Sequence, residues 1–237
     1  ACIQDPETFA VHRLPPHADH IQVDQDGREL PRFSLDGEWG FAYVERPEDL
    51  DEALLIGGEP PASITVPGHM QLQGFGAPQY TNVAYPWDGR AAIKAPAIPA
   101  DNPTGLYIRR FTLPADADTG GRAVLCLEGA EPCCFVVLNG RFIGYAEDSF
   151  TPSAFDIREA LVPGENRLCV IVPRFTSASW LEDQDFWRFN GLFRSVYIRL
   201  EPPVAIRDLS LAPTLDAQLT TGTLSAEALI ASTAERE

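Results

Sequence analysis

From Phe33 onward apolar and polar positions alternate. In "FSLDGEWGFAYV", Trp39, Phe41 and Tyr43 recur at every second residue after an Asp36-Gly37 turn signal, the period of a strand with one buried face. Similar runs follow at 63–68 ("SITVPG"), 106–114, 122–130, 133–140, 141–148, 166–175 and 194–202. Within "YIRRF", Tyr107 is expected to face opposite to Ile108 and Arg110. The sharpest punctuation is Leu138-Asn139-Gly140-Arg141, because Asn-Gly readily takes the positive φ angles of a two-residue type I′ hairpin turn. One stretch has helical character, "PEDLDEALL" (47–55). Pro47 can open it, its acidic residues suit the first turns, and Gly57-Gly58 ends it. "PSAFDIREALVPGEN" adds a turn of helix closed by Pro163-Gly164.

Three segments fall outside this alternation. Residues 1–32 are polar and aperiodic and read as an extended arm. Residues 68–105 form a long loop, and loops of that length in compact domains are often functional. After 202 the chain becomes Thr/Ala-rich, and "TLDAQLTTGTLSAEALIASTAERE" reads as one or two strands of a further domain, begun and not completed. About eight short strands with frequent turn signals predict an all-β fold, a jelly-roll β-sandwich over 33–202. The unfinished remainder, 203–237, predicts that the chain is a piece of a longer polypeptide.

Composition narrows the function. A 237-residue chain can bury a core without disulfides or metal. The net charge of −16 argues against nucleic acid and anionic membranes, which need clustered Lys and Arg. No apolar run is long enough for a membrane span, and the N-terminus lacks the apolar stretch of a signal peptide. The five cysteines (Cys2, Cys126, Cys133, Cys134, Cys169) show no metal-ligand spacing, and buried free thiols in a reducing cytoplasm are expected.

Candidate chemistry concentrates in "WLEDQDFWRFNGLFRSVYI" (180–198), where Glu182, Asp183 and Asp185 lie among Trp180, Phe186 and Trp187. A retaining glycosidase needs two carboxyls about 5 Å apart, but neighbouring acidic residues are commonly ordinary surface features. None of the four histidines (His12, His17, His20, His69) has a recognisable nucleophile partner. The residues alone therefore give no complete catalytic apparatus. They give aromatic and carboxylate groups on a β-sandwich, a combination suited to carbohydrate recognition.

Six segments in order then carry a resemblance: "SLDGEW" (34–39), "VPGHMQLQGFGAPQYTNVAYP" (66–86), "NPTGLYIRRF" (102–111), "GYAEDSFTPSAFDI" (144–157), "GENRLCVIVPRF" (164–175) and "WLEDQDFWRFNGLFR" (180–194). Together they resemble the N-terminal sugar-binding domain of family 2 glycoside hydrolases, nearest to the large bacterial β-galactosidases. The resemblance implies a jelly-roll first domain, an immunoglobulin-like second domain and a TIM barrel bearing two catalytic Glu. It places no catalytic residue in this chain. Asn82 of "YTNVAYP" matches a galactose-pocket Asn, and Asp185 of "EDQDFW" matches an Asp that touches galactosyl hydroxyls and helps hold sodium. The other sodium ligands, and any magnesium sites, are implied to lie outside the chain.

The resemblance further implies β-galactosides such as lactose as substrates, the barrel as partner, and a homo-oligomer in which the arm lies at a subunit interface. The fragment is expected to be silent alone. A stand-alone carbohydrate-binding module and the related β-glucuronidase or β-mannosidase domains are the rival readings. Around the two matched positions, Glu182 and Asp183 are expected to be structural, as partners for Arg188 or Arg194. Phe186 and Trp187 are expected in core or interdomain packing. Trp87 is placed at the pocket mouth, and His69 carries no assigned role.

Overall fold

A computed structural model describes residues 2–17, 23–24, 26–89, 93–114, 120–182 and 185–233. In chain order the elements are β1 (Ala10–Val11), β2 (Arg32–Ser34), β3 (Gly37–Val44), α1 (Ala53–Ile56), β4 (Ala62–Val66), β5 (Gln79–Thr81), β6 (Thr104–Thr112), β7 (Ala123–Leu127), β8 (Ala130–Glu131) and β9 (Cys133–Leu138). They continue with β10 (Arg141–Glu147), β11 (Ser153–Asp156), β12 (Glu165–Pro173), β13 (Phe186–Arg188), β14 (Gly191–Leu192), β15 (Val196–Leu200), β16 (Val204–Leu215) and β17 (Gly222–Ser232).

The chain folds as an all-β sandwich. One sheet runs β1-β10-β9-β12-β6-β3-β4 and faces a second, β11-β7-β15-β2. The alternating residues meet between them: Trp39, Phe41, Tyr107, Leu125, Val136, Leu168 and Ile198 are all buried in one cluster. Phe41 and Tyr107 pack edge to face at 4.9 Å, and Trp39 satisfies its buried indole N–H on the Leu35 carbonyl at 2.8 Å. The Asn139-Gly140 turn forms as expected, with φ values of 52° and 76°, and joins β9 to β10.

Two sequence expectations need correction. The helix expected over 47–55 is split into a 3₁₀ turn at Pro47–Asp49 and the single α-turn α1. The Asp51 carboxylate accepts the Ala53 N–H at 2.9 Å and restarts the helix there. Tyr107 and Ile108 face opposite ways as expected, but the first half of β6, Thr104–Ile108, is buried on both faces rather than one. The cause is α1, whose Leu54 covers Leu106, Ile108, Val137 and Cys169 on the outer face of the large sheet. Arg167 fixes that helix by donating to the carbonyls of Leu54 (2.7 Å) and Gly58 (2.6 Å), the groups a helix C-terminus leaves unpaired.

The arm closes one edge of the sandwich. β1 adds to β10, and the Leu14 N–H donates to Ala154 O of β11 in the other sheet. Past residue 203 the chain forms the β16–β17 hairpin. Its register places Ile206, Leu209, Leu211, Pro213 and Leu215 opposite Ile230, Ala228, Ala226, Leu224 and Gly222, so one face is apolar. The other face pairs Ser210 with Glu227 and Thr214 with Thr223.

Candidate functional site

The two residues singled out by the motifs lie on separate segments that the fold brings together. β5, inside the long loop, pairs antiparallel with β13 in the register Phe186–Thr81, Trp187–Tyr80 and Arg188–Gln79. One step further, the same register sets Asp185 opposite Asn82. Side chains alternate across a ribbon, so Tyr80, Asn82, Asp185 and Trp187 belong to one face. All four are exposed, whereas Gln79, Thr81, Phe186 and Arg188 on the other face are partly or fully buried. The exposed set therefore combines a carboxylate, a carboxamide, a phenol and an indole.

Within this face the Tyr80 hydroxyl donates to Asp185 Oδ1 at 2.5 Å. The carboxylate holds the Tyr80 phenol above its ordinary value, chiefly through that hydrogen bond. The Tyr80 and Trp187 rings lie 5.7 Å apart, and Trp187 stacks on Phe189 at 6.1 Å and 16°.

The buried side holds the ribbon in place. Arg188 Nε donates to Thr81 Oγ1 at 3.0 Å, and the Arg188 guanidinium lies over the Phe186 ring. Arg174 donates to Arg188 O at 3.2 Å. The chain then enters β14 through Asn190, whose backbone and side chain bond with Gln71, while Met70 N–H donates to Asn190 O. Gly191 has φ of 128°, and a Cβ there would stand 2.5 Å from the Tyr107 hydroxyl, so the turn between β13 and β14 requires glycine.

Behind the ribbon lies a small cleft lined by Glu131, Ser149, Arg174, Glu182, Phe186 and Arg188. Its roughly 40 Å³ accommodates a water molecule, not a hexose. Burial raises the carboxyls of Glu131, Glu147 and Glu182, with Glu131 pushed up to about 8 by burial and then by the nearby Glu182. His69 Nδ1 lies 3.7 Å from Glu131, but burial also lowers the imidazole. Burial thus disfavours the charged form of both groups and works against an ion pair between them. The His69 ring is sandwiched between Phe189 and Phe193 and fills a packing role.

Several expected roles change. Glu182 is structural, as expected, and its carboxylate accepts the Ser149 hydroxyl at 2.8 Å and the Ser149 N–H at 3.2 Å. Arg194 donates instead to the Phe150 carbonyl. Asp183 lies outside the described residues. Trp87 is not at a pocket mouth. It is 3% exposed, because the loop folds back and stacks it on Tyr85 against Phe175 and Trp180. Of the core or interdomain packing expected for Phe186 and Trp187, Trp187 is not core, being 52% exposed, while Phe186 is half-buried on the opposite face. Sequence reasoning missed Tyr80. The available signal was the i, i+2 spacing of Tyr80-Asn82 and Asp185-Trp187.

The family model for glycosyl hydrolases family 2, sugar binding domain, matches residues 33–202. The β-galactosidase of Halalkalibacterium halodurans is 42% identical over 99% of this chain, and that of Lactobacillus delbrueckii subsp. bulgaricus 42% over 98%. In each case the match covers 24% of the relative, so the chain spans about a quarter of their length. Among solved structures, a β-glucuronidase from Ruminococcus gnavus in complex with D-glucuronic acid superposes with a TM-score of 0.64 over 94% of this chain and 36% of its own, at 19% identity. The β-glucuronidase of Bifidobacterium dentium gives 0.62 over 91% and 37%, at 20% identity. At those identities the structural likeness bears on the fold alone.

Proposed function

The chain belongs to glycosyl hydrolase family 2, as the sugar-binding domain, and we propose that it completes the galactose pocket of a retaining β-galactosidase acting on terminal β-D-galactosides such as lactose. The observation that carries this reading is the convergence of Asn82 and Asp185 on one exposed face. The β-galactosidase relatives support the choice of sugar. Asp185 accepts hydrogen bonds from galactosyl hydroxyls, and the Asn82 carboxamide both donates and accepts. Together they fix the ring relative to the reacting bond, which adds rate as well as affinity. The nucleophile and acid/base are supplied by a barrel domain of the same enzyme, which packs against this face.

Sodium is compatible with the face to the extent of one ligand. Asp185 offers a hard carboxylate oxygen, with Oδ1 engaged by Tyr80. Among the described residues no group of three or more His, Cys, Asp or Glu could hold a metal, so the remaining oxygens come from elsewhere. A bound sodium would supply positive charge to the sugar's hydroxyl oxygens.

The one-sided apolar pattern of the β16–β17 hairpin fits the opening strands of an immunoglobulin-like domain. No helix in the described residues is long and apolar enough to cross a membrane. The five free cysteines fit a reducing cytoplasm. Homo-oligomerisation through the arm extends the same reading.

A chimera tests it: this chain replaces the corresponding first quarter of the Halalkalibacterium halodurans β-galactosidase. Hydrolysis of nitrophenyl β-galactoside by the chimera and not by the chain alone supports the reading. Turnover by the chain alone sinks it. Tight galactose binding by the chain alone would instead favour an independent binding module.

A further inference from the structure

We propose that Tyr80 is a positioning residue for the sugar site: its hydroxyl fixes the rotation of the Asp185 carboxylate and leaves Oδ2 directed at the ligand. This rests on the reading of Asp185 as a galactoside-binding residue. Asp185 is exposed and sits immediately before the start of β13, one residue outside the ladder pairs. A terminal aspartate torsion is broad and roughly two-fold, so an exposed carboxylate there turns freely unless one oxygen is held. The Tyr80 hydroxyl supplies that restraint at 2.5 Å, a neutral donor on a charged acceptor.

Tyr80 is itself held. It stands directly across the ribbon from Trp187, with ring centroids 5.7 Å apart. Trp187 is stacked on Phe189, Phe189 on His69, and His69 on Phe193. This run of rings leads from the exposed face to partly buried Phe189 and Phe193. The phenol oxygen is therefore placed by packing, and the carboxylate is placed by the phenol. A carboxylate oriented in advance binds a hydroxyl without the entropy loss of stopping its own rotation.

Two variants separate the hydroxyl from the ring. Tyr80→Phe keeps the stacking and removes the donor; Tyr80→Ala removes both. In the chain itself, the ¹³C carboxyl resonance of Asp185, identified by its loss in Asp185→Asn, is expected to move in Tyr80→Phe. In the chimera described above, calorimetry with isopropyl thiogalactoside is expected to show Tyr80→Phe binding about 2- to 10-fold more weakly, as for a carboxylate whose rotation must be stopped on binding. The same variant is expected to raise KM for nitrophenyl galactoside, and Tyr80→Phe/Asp185→Ala is expected to be no worse than Asp185→Ala alone. An Asp185 resonance that does not respond to Tyr80→Phe overturns the proposal without any appeal to activity. Wild-type affinity in Tyr80→Phe alongside a damaged Asp185→Ala overturns the proposal and leaves the galactoside reading standing. Indifference to both substitutions removes the two together.

Discussion

Tyr80 donates its hydroxyl to Asp185 Oδ1 at 2.5 Å, and the β5–β13 register, carried one step past its last pair Thr81–Phe186, sets Asn82 across from Asp185. They come from the long loop and from the stretch before β14, and the Tyr80–Asp185 hydrogen bond beside them spans 105 positions of sequence. A face assembled this way depends on a three-residue ladder staying in register, because a slip of one residue would turn both side chains to the buried face. In the chimeric enzyme, Asp185→Ala is expected to lower kcat/KM at least about 100-fold, near 2.7 kcal/mol, and Asn82→Ala about 10-fold. Steady-state kinetics with nitrophenyl β-galactoside decides this, and activity within two-fold of the parent in both variants would remove the site.

Arg188 anchors the ribbon from its buried side. It is 7% exposed, bonds Thr81 across the ladder and lies near the raised carboxyls of Glu131 and Glu182. Its guanidinium also lies over the Phe186 ring, so truncating it removes packing as well as the Thr81 bond. Arg188→Ala is expected to destabilise the chain by about 2 kcal/mol in urea unfolding, and Thr81→Val by about 1 kcal/mol. A loss under about 0.5 kcal/mol in Arg188→Ala would show that β5 is held by other contacts.

Glu131 links stability to pH. It faces His69, Glu182, Arg188 and Arg174, and burial raises its carboxyl from 4.5 to about 8. The folded chain therefore binds a proton that the unfolded chain releases between those values. The contribution is fully present below about pH 4.5 and is lost as pH rises through about 8. Glu147 and Glu182 are raised in the same direction. Glu131→Gln, neutral at every pH, is expected to flatten the decline and to stabilise the chain at pH 8.5 on the order of 1–3 kcal/mol relative to the parent. Urea midpoints at pH 5.5 and 8.5 give the comparison, and parallel profiles for parent and variant would mean that Glu131 ionises normally.

Much of the sandwich was legible because β3 alternates at Trp39, Phe41 and Tyr43 and because its β9–β10 turn uses Asn139-Gly140. The double burial of β6 was not, since it depends on α1, whose Leu54 packs on the sheet while Arg167 of β12 donates to its carbonyl. Asn82 and Asp185 were singled out by motif, not by period. β5 and β13 are three residues each, so the i, i+2 spacing of Tyr80-Asn82 and Asp185-Trp187 was too short to carry the shared face without the pairing. Trp87 misled for a related reason: its neighbours Tyr85, Phe175 and Trp180 are contributed by distant segments, and they bury it.

Gly191 is where the site is most sensitive to a single methyl group. It follows β13 by three positions and starts β14, which pairs with β8 and so ties the ribbon to the sandwich. Its φ of 128° is rarely adopted by residues with a Cβ, and an added Cβ would stand 2.5 Å from the Tyr107 hydroxyl, 3.1 Å from Gly68 O and 3.3 Å from Met70 N. Two of these neighbours are backbone, and Tyr107 is fully buried in the core, so none can move cheaply. Gly191→Ala therefore combines backbone strain with overpacking and is expected to cost about 3 kcal/mol or more. The relief open to the chain is to shift the segment from Arg188 to Leu192, which would carry Asp185 away from Asn82. Thermal unfolding of the chain reads the first effect, and thiogalactoside binding by the chimera reads the second. A Gly191→Ala variant with parental midpoint and affinity would show that this turn adapts without strain and that the site is not positioned from β14.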